Sequence, residues 1–392
     1  NDFAGVAIDG DSISNRVGAV GLGNLISGNR QSGLWILGRG TRVENNIIGL
    51  DAAGLAPLSN ATGILIQNTD LCLVASNLVS GNAVDGIRLL NAEFNTLLYN
   101  HVGTDASGWR RLGNGEFGVK IINGNSNFLG GADAPGNNRI AFNGWVGLYV
   151  DSGVGNSFLG NAACENLSLD IDLGAGSGFP DGPTANDPLD ADSGANDFQN
   201  YPLLTFATND GAQITVAGSL QSSPLTPVVV EIHGSRGPHP TGYGGSDGWL
   251  GAATGVTDIA GLYAFVVVAP TPPTPPNTLT ALAHTPARSC TSEFSPYLLL
   301  DSDGDGMGDG YEFFYNGVGG LDPDRDDDED GVTHLQEFLA DTDPTDPDSF
   351  PRIQEAFFIP DNRRMSIAYP RTGRRVYRIV TSASLNPPWT TL

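Results

Sequence analysis

Two twelve-residue acidic stretches, 301–312 (DSDGDGMGDGYE) and 326–337 (DDDEDGVTHLQE), carry the oxygen chemistry of a calcium site. Each places carboxylates at positions 1, 3 and 5, as Asp301, Asp303 and Asp305 and as Asp326, Asp328 and Asp330. A glycine at position 6, Gly306 or Gly331, permits the sharp turn such a loop needs. The position 7 carbonyl of Met307 or Val332 and the position 12 carboxylate of Glu312 or Glu337 complete a shell of hard oxygens. Asp309 adds a ligand at position 9 of the first loop, where the second has His334, so the second site reaches its ion there through water or binds it more weakly. Two such matches in one chain imply two bound Ca2+ ions.

The flanks decide what kind of calcium site this is. A sensor needs a helix on both sides of the loop, and the first loop is entered through Pro296, Tyr297 and a short apolar run that reads as extended chain. Residues 311–316 form at most a turn or two of helix before Gly317, Gly319, Gly320 and Pro323 end it. The loops are therefore EF-hand-like but structural. With the trailing Asp341-Thr342-Asp343-Pro344-Thr345-Asp346-Pro347, the segment resembles the thrombospondin type 3 and dockerin-like repeats of secreted bacterial proteins.

The net charge of −25 over 392 residues makes nucleic acid an improbable partner. The charge is uneven: residues 301–350 hold seventeen acids against one base, Arg325, whereas 351–392 hold seven arginines against two acids. Without cations the acidic block repels itself. Cys72, Cys164 and Cys290 have neither paired nor metal-ligand spacing and read as small buried residues. No run of eighteen apolar residues predicts a membrane span. The chain opens at Asn1 in what already reads as folded structure, which points to a processed or truncated form. Calcium loops, Asn/Gly/Asp-rich turns and a single lysine favour a secreted, extracellular or cell-surface setting.

The elements that position these groups emerge from a repeat. Six short apolar strands, each led by a glycine, begin at Val6, Leu34, Ile64, Ile87, Val119 and Leu148, with steps of 28, 30, 23, 32 and 29 residues. That period suits one coil of a solenoid. The expected fold of residues 1–174 is a right-handed parallel β-helix, with aliphatic positions 1 and 3 of each strand inside and glycine or asparagine supplying left-handed turns. The corners at 48–54 (IGLDAAG) and 102–108 (VGTDASG) resemble those of a large family of secreted bacterial β-helix repeats, which implies fold and export but no reaction.

Position 2 of each strand then points outward, giving the column Ala7, Trp35, Leu65, Arg88, Lys120 and Tyr149. Arg88 and Lys120, on adjacent coils between aromatic residues, form a candidate site for an acidic polysaccharide, with Trp35 and Tyr149 as ring platforms. They are also the weak candidates for a lyase, with Lys120 as base and Arg88 on the substrate carboxylate. Asp85 and Glu116 supply nearby carboxylates, and the bland reading is that they simply pair with these cations.

Downstream, residues 175–200 read as an acidic Gly/Pro-rich connector and 201–297 as an Ig-like β-sandwich of alternating strands. The close at Thr291-Ser292-Glu293-Phe294-Ser295 resembles that of the sandwich which follows such β-helices. His233, His239 and His284 read as loop or surface residues. Residues 298–350 hold the tandem calcium loops, and 351–392 a C-terminal β segment, incomplete or completed by a neighbour. Two functions stand open. One is a calcium-stabilised structural or adhesive surface protein, self-assembling through an uncapped first coil and the short tail. The other is a β-helix protein that binds or cleaves polysaccharide. The first makes the partner the chain itself, the second a surface glycan.

Overall fold

The computed structural model describes residues 2–131, 137–317 and 320–350, and beyond them the strands Glu355–Ile359, Arg364–Ala368, Val380–Thr381 and Thr390–Thr391. Two compact units result: residues 1–302 with 308–310, and residues 303–307 with 311–392.

In the first unit, seven strands stack in parallel in chain order: Val6–Ile8, Leu34–Ile36, Ile64–Gln67, Ile87–Leu90, Val119–Ile122, Leu148–Val150 and Ile171–Leu173. The register pairs Ile64 with Ile87, Ile87 with Val119 and Val119 with Leu148, so positions 1 and 3 form continuous interior columns. From Leu34 to Val150 these columns are at most 1% exposed. Two further parallel sheets, one of five strands from Arg16–Val17 to Phe128–Leu129 and one of six from Leu25–Ile26 to Ala162–Cys164, complete each coil. The first 174 residues are thus three parallel sheets wound as a β-helix. At the first coil, Val6, Ile8, Val17, Leu22, Leu25 and Ile26 line a cavity of about 750 Å³.

The repeat glycines have a steric reason. A Cβ on Gly33, Gly63, Gly86 or Gly118 would lie 2.5–2.7 Å from the carbonyl oxygen of the corresponding glycine one coil on, where backbones pass too closely for any side chain. The seventh strand lacks that mark, because Asp170 stands in the glycine's place.

The asparagines divide into two kinds. Asn45, Asn68, Asn91 and Asn123 take left-handed backbone at corners, as expected. Others are buried ladders: Asn29, Asn60, Asn82, Asn114, Asn143 and Asn166 each donate Nδ2 to the next member's Oδ1 at 2.7–2.9 Å, and Asn166 ends on Asp170. A second ladder runs through Asn46, Asn77, Asn100, Asn138 and Asn161. Each amide also binds backbone, so a carboxamide costly to bury alone is satisfied at every coil.

Residues 203–299 form two antiparallel sheets. One orders Leu203–Asn209, Gln213–Gln221 and Leu262–Pro270; the other orders Gly248–Val256, Pro227–Ser235, Thr278–Thr285 and Cys290–Thr291, with Leu298–Leu299 also on Thr278–Thr285. They share a core that includes Ile214, Val216, Val230, Ile232, Phe265, Val267, Leu279 and Ala281. Thr278–Thr285 is buried at all eight positions. The reason is that its other face meets the β-helix: Leu282 and Phe294 belong to the β-helix core cluster. Glu231, Thr291 and Glu293 accept backbone N–H groups of Gly160, Phe158 and Leu173.

This junction corrects the surface reading of three histidines. His233, His239 and His284 are 0%, 5% and 6% exposed. His233 bonds Ser246 and Glu231, His239 bonds the Asn166 carbonyl, and His284 bonds the Thr291 hydroxyl. The connector is likewise built in: Asp190 is buried and accepts the Asn200 N–H and the Ser222 hydroxyl, while the Asn196 amide accepts the Asn156 N–H and donates to the Asn156 carbonyl.

The second unit contains the helix His334–Ala340, capped by Thr333, whose hydroxyl accepts the Gln336 N–H while Gln336 returns to the Thr333 N–H. The helix Asp309–Asn316 spans the boundary between the units. Tyr311 and Phe338 meet edge to face at 5.1 Å. The strand pairs Glu355–Ile359 with Arg364–Ala368 and Val380–Thr381 with Thr390–Thr391 follow. The rest of the expected C-terminal β segment at 351–392 lies outside the described residues. No helix among the described residues is long and apolar enough to cross a membrane.

Candidate functional site

The second acidic loop divides the oxygens of its carboxylates. Asp326 Oδ2 accepts the Gly331 N–H at 2.9 Å, Asp328 Oδ1 the Asp330 N–H at 3.3 Å, and Asp330 Oδ1 the Val332 N–H at 2.8 Å. Glu337, presented by the first turn of its helix, accepts the Thr342 hydroxyl through Oε1 at 3.3 Å. One oxygen of each group therefore shapes the loop. The other four, Asp326 Oδ1, Asp328 Oδ2, Asp330 Oδ2 and Glu337 Oε2, are buried with no hydrogen-bond partner. The three aspartates have ligand atoms within 4.8 Å of one another.

The electrostatics agree. Burial first, and then Asp328 and Asp330, push the Glu337 carboxyl up to about 7. Asp328 is also raised, by desolvation and by Asp330 and Asp326. Converging carboxylate oxygens without nitrogen or sulfur donors fit a hard divalent cation such as calcium. Gly331 holds φ at 92°, the turn that brings Val332 round to Asp330. His334 is turned elsewhere: Nδ1 lies 2.9 Å from the Asp322 carbonyl and Nε2 3.5 Å from Asp327.

Of the first loop, the second unit holds Asp303, Asp305, Met307 and Glu312. Met307 is buried, and its N–H donates to Asp305 at 2.8 Å. Glu312 accepts the Gly320 and Leu321 N–H groups through Oε1, and its carboxyl is raised by burial, with Asp303 and Asp305 adding to the rise. In the first unit, Asp301 is half-buried, and Asp309 spends both oxygens on the Ser302 N–H and hydroxyl, each at 2.8 Å.

On the β-helix, register places Trp35, Leu65, Arg88, Lys120 and Tyr149 in one column, as expected. The expectation that Lys120 and Tyr149 stand open to a ligand is overturned by the connector, which lies over them. Lys120 is 8% exposed and donates Nζ to the Gly178 carbonyl at 2.9 Å, above the Phe117 ring at 4.2 Å. Tyr149 is fully buried, stacks on Phe117 at 4.9 Å and donates its hydroxyl to the Phe179 carbonyl at 2.9 Å. Gly178 in turn donates its N–H to Asp151 at 2.6 Å. Burial lowers the Lys120 pKa, with Asp85 partly opposing it. Arg88 pairs with buried Asp85 at 2.5 Å, and Trp35 donates to Gln67 at 3.0 Å.

Two groupings escape the repeat pattern. Trp109 lies between two guanidinium groups, Arg139 at 4.1 Å and Arg236 at 4.0 Å. On the five-stranded sheet and its corners, Leu71, Phe94, Tyr99 and Phe128 are 44–51% exposed, the first three with φ between 53° and 58°. Bulky side chains are uncommon in that backbone region.

No family model matches this chain, and no curated protein does. Among solved structures, the full-length tailspike protein 2 of the Escherichia coli O157:H7 bacteriophage CAB120 is similar at 11% identity and a TM-score of 0.27 over 74% of this chain. The enzymatically active domain of tailspike protein 2 from bacteriophage CBA120 gives 10% identity and 0.24 over 73%. The chain spans about half the length of these proteins, 50% and 55% respectively.

Proposed function

We propose that this chain is an extracellular, calcium-stabilised modular β-helix protein with a structural or adhesive role. The observation that supports it is the set of four buried, unpartnered carboxylate oxygens in the second acidic loop. Such oxygens repel one another and cost free energy unless a cation meets them. A bound ion stabilises the folded state by about 2.7 kcal/mol at a hundredfold excess over its dissociation constant. Structural calcium modules of the extracellular space work in the millimolar range. In this reading the two antiparallel sheets are an Ig-like module, and calcium stiffens the chain beyond it. Calorimetric titration of calcium into chelator-stripped protein tests it. Glu337→Gln is expected to weaken one site at least tenfold and to reduce the rise in melting temperature at millimolar calcium. A melting temperature indifferent to calcium would sink the proposal.

A second reading, glycan binding, is favoured by the exposed rings of Phe94, Tyr99 and Phe128 on the five-stranded sheet and its corners, because ring faces cover sugar faces. Trp35 and Arg88 remain its candidates on the first sheet. Cleavage at Lys120 and Arg88 gains nothing from the geometry, since the amine is engaged by Gly178. Gel retardation in polysaccharides tests binding: Phe94→Ala with Phe128→Ala is expected to abolish retardation, whereas equal mobility of wild type and variant in every glycan tried would refute it.

A further inference from the structure

The outward column of the β-helix ends in a carboxylate that no cation among the described residues compensates. Asp172 follows Tyr149 in register and is fully buried; neither of its oxygens has a well-formed hydrogen bond, and the backbone group acting on it is the Gly182 N–H. The charged group acting on it is another carboxylate, Asp181, which lies exposed on the covering segment and accepts the Ala175 N–H at 3.2 Å. The remaining neighbours bring no cation to it. Glu293 spends its oxygens on Leu173 and Thr184. Asp151 takes the Gly178 N–H, Tyr149 donates to Phe179, and Lys120 is turned to the Gly178 carbonyl.

We propose that Asp172 anchors a third cation site, for a hard divalent ion such as calcium, closed over by residues 174–184 with Asp181 as the second carboxylate. A proton competes for the same place, since burial and then Asp181 push the Asp172 carboxyl up to about 7, and the ion gains on it as pH rises. A cation meets both oxygens at once and draws Asp181 toward the sheet. The ion would lock the segment that covers Lys120 and Tyr149. The site uses no residue of the acidic loops, so it stands or falls apart from them.

The test is an ion count on the full chain, stripped with chelator, equilibrated with millimolar calcium and measured by atomic emission. Asp172→Asn is expected to carry one ion fewer than wild type, while Glu337→Gln keeps this ion and loses that of the second loop. Should Asp172→Asn fail to fold by circular dichroism, the exposed Asp181→Asn decides, with an expected loss of one ion or at least a tenfold weaker third site. A folded Asp172→Asn with the wild-type count, or Asp181→Asn with wild-type count and affinity, overturns the site. Glu337→Gln reports separately on the acidic loop.

Discussion

Gly86 shows how a single residue sets the coil spacing. A Cβ there would lie 2.6 Å from the Gly118 carbonyl oxygen, 2.7 Å from Asn114 Nδ2 and 2.8 Å from Val102 Cγ1. Backbone, ladder amide and core would all have to give way, and overpacking of this kind costs about 1–3 kcal/mol. Gly86→Ala is therefore expected to unfold at lower denaturant by about that amount. Gly248→Ala, which would meet nothing within 4 Å, should stay within about 0.5 kcal/mol of wild type. Equal unfolding midpoints for the two variants would contradict the close-approach account. The same economy governs the second acidic loop, where each aspartate builds the turn with one oxygen and keeps the other buried without a hydrogen-bond partner.

At the scale of elements, the sequence signal was strongest where one physical constraint repeats. Six of the seven strands of the first sheet carry their glycine, and the seventh does not, because Asp170 fills that position and the coil is about to end. The other two sheets have strands of two or three residues, too short for any alternation to stand out. The helix His334–Ala340 went unread, because its signal, the Thr333 to Gln336 capping box, lies inside a run read for metal ligation. Burial of Lys120 and Tyr149 was not legible, because alternation says only that position 2 leaves the core. A glycine-rich connector reads as solvated chain, yet Gly178 and Phe179 use backbone groups, which no side-chain pattern reports, to cover the column. The acidic cluster of the second loop was legible because its spacing is local. The burial of Asp172 was not, since it follows from how a later segment folds over the sheet.

At the scale of the molecule, the β-helix and the antiparallel sheets share an interface whose polar groups are buried, and this makes the first unit sensitive to pH. His284 lies in that interface with Nδ1 2.9 Å from the Thr291 hydroxyl, and burial pushes its pKa down to about 4, the Glu231 charge opposing only in part. The folded pKa is thus below the value of about 6.5 for an unfolded chain. Between these two values the unfolded state binds more protons, so this contribution to stability is intact above about pH 6.5 and lost as pH falls toward about 4. The shift corresponds to up to about 3 kcal/mol. Glu293, raised to about 8 by burial first, slopes the other way, its contribution fading as pH rises from the ordinary carboxylate range through 8. The wild-type profile alone mixes the two. The stability difference between wild type and His284→Gln isolates the histidine, because the amide keeps a hydrogen-bonding group but takes no proton. Measured by denaturant unfolding in the presence of chelator, the variant should gain on wild type progressively between pH 6.5 and 4, and the gain should level off below. A difference that stays flat across that window would mean that the histidine is free to take its proton in the folded state, and that the two modules part at this edge.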